Sequence, residues 1–138
     1  MATWTLTPHV GVGTTSTMIS DSGSVNLLIP LHIPQGALLA AVVVHVKPGG
    51  AVKLTLRVLR NDALAGASGD QQTVLGTAQS DGTANEQDIS LTGLSEAVPR
   101  GEAATQQAYY AAIESGQAAD EFYTGYAKFG YTELLLGM

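Results

Sequence analysis

From Val25 to Val58 the apolar side chains return at every second position, which is the repeat of an extended strand and not the three-and-four repeat of an amphipathic helix. Val25, Leu27, Ile29, Leu31 and Ile33 share one face, against Asn26, Pro30 and His32 on the other. Pro30 removes a ladder donor, so this strand belongs at a sheet edge or a bulge. After the turn Pro34-Gln35-Gly36, a second inward row is expected of Leu38, Ala40, Val42, Val44 and Val46, with His45 and Lys47 outward. Its β-branched residues disfavour a helix. Lys47-Pro48-Gly49-Gly50 is a turn signal, and Val52, Leu54, Leu56 and Val58 then alternate against Lys53, Thr55 and Arg57. Residues 37–60 therefore read as a β-hairpin.

The remaining segments are shorter. Trp4 and Leu6 alternate with threonines before Pro8, which predicts an edge strand, and Gly11 to Ser24 reads as a flexible stretch. Asn61 to Gln72 is small and polar, as expected of a long surface loop between sheets. Further strands are expected near Thr73–Ala78, Asp88–Leu94, Gln107–Ile113 and Phe122–Tyr131, the last two joined by a hairpin connection at Ser115–Asp120. Helix-favouring Ala, Gln and Glu make a helix over Ala103–Ser115 the competing reading. Tyr109-Tyr110 ahead of Ile113, and the glycine turn that follows, favour a strand. The sum is an all-β chain of seven to eight strands, a single antiparallel sandwich of jelly-roll type at residues 25–138, preceded by a Thr/Ser/Gly-rich arm at residues 1–24.

Composition agrees with one packed core. The chain has 138 residues, 45% hydrophobic and 13% charged, a size and make-up that bury about two-thirds of the unfolded surface. Twelve acidic residues against six basic ones, with no basic run, argue against binding phosphate backbones or anionic membrane surfaces. With no cysteine, disulfides, thiolate metal sites and a Cys nucleophile are excluded. The amino terminus has no basic start followed by an apolar core, and no stretch approaches the ~18 apolar residues of a spanning helix. A soluble chain made in the cytoplasm is expected.

The residues that carry chemistry are scattered. His9, His32 and His45 have no metal-binding spacing and read as surface histidines. Glu86 with Asp88, and Asp120 with Glu121, are the close acidic pairs, both at turns where carboxylates are ordinarily solvated. Asp81–Asp88 lacks the ligand spacing of a calcium loop. Gly66-Ala67-Ser68-Gly69 stops short of a nucleophile elbow, and Gly11-Val12-Gly13 lacks the third glycine of a dinucleotide loop. No catalytic residue, metal ligand or cofactor is therefore assigned, and the chain is read as non-enzymatic.

Two features suit contact with a partner. Phe122, Tyr123, Tyr126, Phe129 and Tyr131 crowd one segment, where core filling is the first expectation and stacking on a sugar the second. Leu134, Leu135 and Leu136 beside the carboxyl end need cover on both faces, from the domain itself or from a neighbouring subunit. Trp4, Leu6 and Leu134–Leu136 are taken as the candidate interface.

Taken together, the Pro-x-Gly turn into an apolar strand (Pro34-Gln35-Gly36-Ala37-Leu38), the Thr/Ser/Gly-rich amino end, the absence of cysteine and the lack of a catalytic motif resemble the small jelly-roll capsid decoration, or cement, proteins of tailed bacteriophages. The resemblance implies a virion structural protein on the capsid exterior. It would act as a dimer or trimer that bridges and stabilises major capsid proteins. A tail-fibre or receptor-binding head that recognises carbohydrate is the alternative. A polysaccharide-cleaving enzyme using Asp120 and Glu121 stands third.

Overall fold

The computed structural model describes residues 4–8, 16–62, 71–101, 107–123 and 128–133. The strands among them are β1 (Trp4–Pro8), β2 (Ser16–Ser20), β3 (Asn26–Leu31), β4 (Ala37–Lys47), β5 (Thr55–Asp62), β6 (Gln71–Gln79), β7 (Gln87–Leu91), β8 (Glu96–Ala97), β9 (Gln107–Glu114), β10 (Glu121–Tyr123) and β11 (Lys128–Glu133). All pair antiparallel, in two sheets, and no α-helix occurs among the described residues. The competing helix over Ala103–Ser115 is thus replaced by β9 from Gln107 onward, while residues 102–106 lie outside the described residues.

The first sheet is organised around β4. Val46 pairs with Phe122 of β10 and with Gln87 of β7, and Val42 pairs with Phe129 of β11 and with Leu91 of β7. One flank of β4 therefore carries β10 and β11 end to end, and the other carries β7 and β8. Beyond β10 come β2 and β1. The second sheet runs β3-β9-β5-β6. Leu39, Val42, Val44 and Val46 from β4, Ile89 and Leu91 from β7 and Phe122 from β10 meet Leu56, Val58, Tyr109, Ala111 and Ile113 of the second sheet in one buried cluster. Burying each such aliphatic side chain contributes about 1.5–3 kcal/mol, so this shared layer holds the two sheets together.

The strands forecast from periodicity are present, but their partners differ. Residues 37–60 are not a hairpin: β4 belongs to the first sheet and β5 to the second. Alternation reports which side chains face the core, and strands from two facing sheets carry the same signal. The connection 48–54 crosses between the layers, with Leu54 0% exposed in the core. Ser115–Asp120 crosses likewise, from β9 to β10. Asn61–Gln72 instead joins two paired strands of one sheet, and both of its ends are strand; residues 63–70 lie outside the described residues.

Two bulges account for faces that strict alternation misassigns. Between Gly130 and Tyr131 the β11 register jumps from Ala41 to Leu39, leaving Ala40 as an extra residue in β4. Alternation is thereby reset: Ala37 and Leu39 are buried with Val42, Val44 and Val46, while Leu38 and Ala40, expected in that row, are only half-buried. A second jump, between Val58 and Leu59, leaves Leu75 extra in β6. The stretch Phe122–Tyr131, expected as one strand, is divided between β10 and β11. Within the stretch read as flexible, Ser16–Ser20 is strand β2, paired on both sides. Pro30 does sit on an edge strand, since among the described residues β3 pairs only with β9.

At one end of the molecule the sheet-crossing loops are tied by buried polar groups. Asp120 is 0% exposed; its Oδ1 accepts the Gly49 N–H at 2.8 Å, and its Oδ2 accepts those of Gly116 and Gln117 at 2.7 and 3.1 Å. The Ser20 hydroxyl donates to the Gln117 carbonyl and accepts the Asp120 N–H. Ser115 bridges the Ser22 carbonyl and the Val25 N–H, and Ser80 accepts the Leu54 N–H. Loops without a ladder must satisfy their amides this way, because an unpaired buried amide costs about 1–3 kcal/mol.

Candidate functional site

Crossing between layers leaves each sheet with an outward face, and the two faces differ in chemistry. On the second sheet the outward rows are read from the registers: Leu28 of β3 opposite Ala112 of β9 and Arg57 of β5, then Pro30 opposite Tyr110, Leu59 and Val74. Leu28 and Val74 are 55% and 53% exposed. Leu59 and Ala112 are buried although they stand outside the core cluster, so they floor a shallow depression of about 420 Å³ lined also by Asn26 and Gln72. The Arg57–Glu114 ion pair, 3.7 Å long, lies beside it. Contiguous exposed apolar surface of this kind marks a contact site more often than scattered single residues do.

The outward face of the first sheet is polar around His45. His45 of β4 stands opposite Asp88 of β7 in the ladder, and its Nδ1 lies 2.6 Å from Asp88 Oδ1. Its Nε2 lies 3.0 Å from Glu86 Oε1, and its ring meets that of Tyr123 edge-on at 5.0 Å. Both ring nitrogens face carboxylate oxygens, and only the imidazolium has two N–H groups to give them. Burial acts to lower the His45 pKa, but hydrogen bonds to Asp88 and Glu86 more than reverse it, so it stands above the ordinary value. Glu86 is held below the usual carboxylate range by hydrogen bonds from His45 and Tyr123. Burial and the neighbouring Glu86 charge push the Tyr123 phenol up to about 12. The two carboxylates approach opposite ring nitrogens, so they do not converge with the imidazole on one point. Among the described residues no group of three or more such side chains is placed to hold a metal ion.

A third feature lies at the end away from Asp120. Arg60 of β5 donates through Nη1 to Glu96 of β8 at 2.9 Å and through Nε to Asp62 at 3.1 Å, and the Tyr109 hydroxyl donates to Glu96 at 3.0 Å. Burial and the Glu96 charge push the Tyr109 phenol above its ordinary range. These contacts link the two sheets beside a cleft of about 330 Å³ between Ile33, Val98, Pro99 and Tyr110.

The residues singled out from sequence are distributed unevenly over these features. Trp4 and Leu6 lie in β1, opposite Ser20 and Met18 of β2. Leu134, Leu135 and Leu136 lie outside the described residues, as does His9. Asp120 and Glu121 do not form a facing pair, because both oxygens of Asp120 are taken up by backbone amides while Glu121 is half-buried in β10. Phe122 is a core residue and Tyr123 is an outer one. Sequence reading missed that His45 sits between Glu86 and Asp88. The i, i+2 spacing of the acids put them on one strand face, but only the β4–β7 register brings the histidine to them. It also missed the Leu28–Val74 surface, for which the signal was an apolar residue at Leu28 on the polar face of β3.

No protein-family model, curated protein or solved structure matches the chain.

Proposed function

We propose that this chain is a non-enzymatic structural subunit of a virus particle, a jelly-roll sandwich that attaches to the outside of a shell and bridges its major capsid proteins. The jelly-roll reading is supported by the order in which the chain visits the two sheets. Strands β2-β10-β4-β7 form one four-strand layer and β3-β9-β5-β6 the other, so that, apart from the paired β5 and β6, successive strands of these layers wrap from one to the other, as two interleaved Greek keys do. That fold recurs among capsid proteins, and the link to a virus particle is one of architecture.

The observation that carries the attachment role is the outer face of the second sheet, where Leu28 and Val74 stand more than half exposed over Leu59 and Ala112. A partner covering this face gains apolar burial without disturbing the core. Trp4, Leu6 and the Leu134–Leu136 tail are a second contact in this proposal, made by the chain ends. The test is co-sedimentation of purified protein with shells assembled from the capsid protein of the parent particle. Leu28→Ser is expected to weaken attachment at least tenfold while circular dichroism is unchanged. Deleting Met1–Thr7, or replacing Leu134–Leu136 by Ser, is expected to weaken it further. Undiminished attachment of all three variants would refute both contacts.

Carbohydrate recognition is the second reading, favoured by the Tyr123, His45, Glu86 and Asp88 cluster, which offers an aromatic ring beside hydrogen-bonding groups on one outward face. Calorimetric binding of a neutral oligosaccharide that is lost in Tyr123→Ala would support it.

A further inference from the structure

Open sheets have edges, and proteins ordinarily blunt them with proline, charge or shortness. In the second sheet one edge, β3, carries Pro30 as its penultimate residue. In the first sheet β7 is five residues long with Asp88 exposed, β8 has two residues, β1 ends in Pro8, and β11 has a charged residue at each end, Lys128 and Glu133. The remaining edge is different. Strand β6, Gln-Gln-Thr-Val-Leu-Gly-Thr-Ala-Gln, has nine residues with neither proline nor charge, and among the described residues its outer edge has no ladder partner.

What would pair with it is written in its own pattern. From Gln72 to Gln79 the residues run exposed, half-buried, exposed, half-buried, half-buried, exposed, half-buried, exposed. This series reads the same in both directions about the Leu75–Gly76 bond, because the extra residue of the bulge sits at its centre. Cross-strand neighbours in a ladder must share a face. A second copy of β6, antiparallel and related by a two-fold axis at that bond, meets the requirement at every position. Gln72 then faces Gln79, Val74 faces Thr77, Thr73 faces Ala78 and Leu75 faces Gly76. No like charges meet, and exposed Val74 gains the methyl of Thr77.

We infer that two copies of this chain pair through β6 about a two-fold axis at Leu75–Gly76, making one continuous eight-stranded sheet from the two four-stranded ones. The interface is isologous and closes on itself, so it stops at a dimer. It also brings the two apolar outer faces side by side, since Val74 belongs both to that face and to the pairing strand. The dimer does not depend on the attachment proposed above, and it is measured on the isolated protein.

The absence of cysteine makes the register directly readable. Opposed residues in an antiparallel ladder have Cα atoms about 4.5–5.5 Å apart, within disulfide reach, whereas positions three apart on one strand are separated by about 10 Å. The double variant Val74→Cys/Thr77→Cys is therefore expected to give a covalent dimer on mild oxidation. Either single variant alone brings its own two thiols no closer than about 10 Å and is expected to stay uncrosslinked. Light scattering is expected to give the wild type a mass near twice 14.2 kDa. Val74→Lys/Thr77→Lys, which sets lysine against lysine at exposed positions, is expected to give a folded chain at half that mass. A wild type that is monomeric at high concentration, or single-cysteine variants that crosslink as readily as the double one, would overturn the pairing.

Discussion

Replacing Asp120 by Asn changes no volume and removes one charge, which makes it a direct measure of what holds the sheet-crossing loops together. The carboxylate is 0% exposed and accepts three backbone N–H groups, one on Oδ1 and two on Oδ2. An amide keeps one acceptor oxygen. Turned toward Gly116 and Gln117, it retains two bonds and points its own N–H groups at the Gly49 amide; turned the other way, it loses two. Hydrogen bonds to a charged acceptor contribute about 1.5–3 kcal/mol each and neutral ones about half as much. The better rotamer thus loses one charged bond and weakens two. With allowance for rehydration of the exposed Gly49, the cost is about 3 kcal/mol, and Asp120→Ala, which loses all three, is expected to cost about 5 kcal/mol. Against a domain stability of about 5–15 kcal/mol, the Asn variant folds and the Ala variant is marginal. At a urea m-value of about 2 kcal/mol/M, the Asn variant's unfolding midpoint falls by about 1.5 M. Hydrogen exchange is expected to quicken most at Gly49, Gly116 and Gln117. A midpoint within about 0.3 M of wild type, with those amides unchanged, would refute this account of the buried carboxylate.

The His45 pKa is raised above its unfolded value of 6.5, so the stability it contributes is complete below about pH 6.5 and is lost as pH rises through the folded-state value. Urea midpoints measured across that window are expected to fall for the wild type and to stay level for His45→Gln; parallel curves would contradict the Glu86–His45–Asp88 clasp. Gly116→Ala places a methyl 2.6 Å from the Lys53 carbonyl oxygen and 2.8 Å from that of Val52, both backbone atoms, and is expected to cost at least about 2–3 kcal/mol. Gly93→Ala has a φ of +75° but meets nothing within 4 Å, so only the left-handed backbone is penalised, at about 1 kcal/mol; thermal melts should rank the two variants in that order.

Which segments are strands was legible because the signal is local. Val25 to Ile33, Val42 to Val46 and Leu54 to Val58 each show alternation with little else competing, and even the edge position of β3 followed from Pro30. Pairing was not legible, because partners are chosen by the third dimension: Val46 and Leu56 carry equal hydrophobic signals, yet they belong to different sheets that share one core instead of to one ladder. The bulge at Ala40 inverted the first two of the five residues in one expected row, since a single extra residue shifts the alternation on one side of it to the opposite face. Asp120 looked like solvated turn punctuation. Its burial depends on Gly49, 71 positions away, and no local window contains that contact. His45 is a similar case, because its two carboxylates arrive from residues 86 and 88.

The insertion of β9 between β3 and β5, and of β10 between β2 and β4, bears on how the chain can be made. In each sheet two strands synthesised early are joined to one another only through one synthesised late. While the nascent chain still ends before Gln107, among the described residues β3 has no ladder partner and β5 has only β6. Before Glu121, β4 and β2 have nothing to join them. Local hairpins such as β1–β2 and β5–β6 can form as they emerge, but the layers close only when the last third of the chain is threaded into gaps left for it. Contacts between residues so distant in sequence make folding slow, and an apolar strand as long as β4 must wait with one flank uncovered.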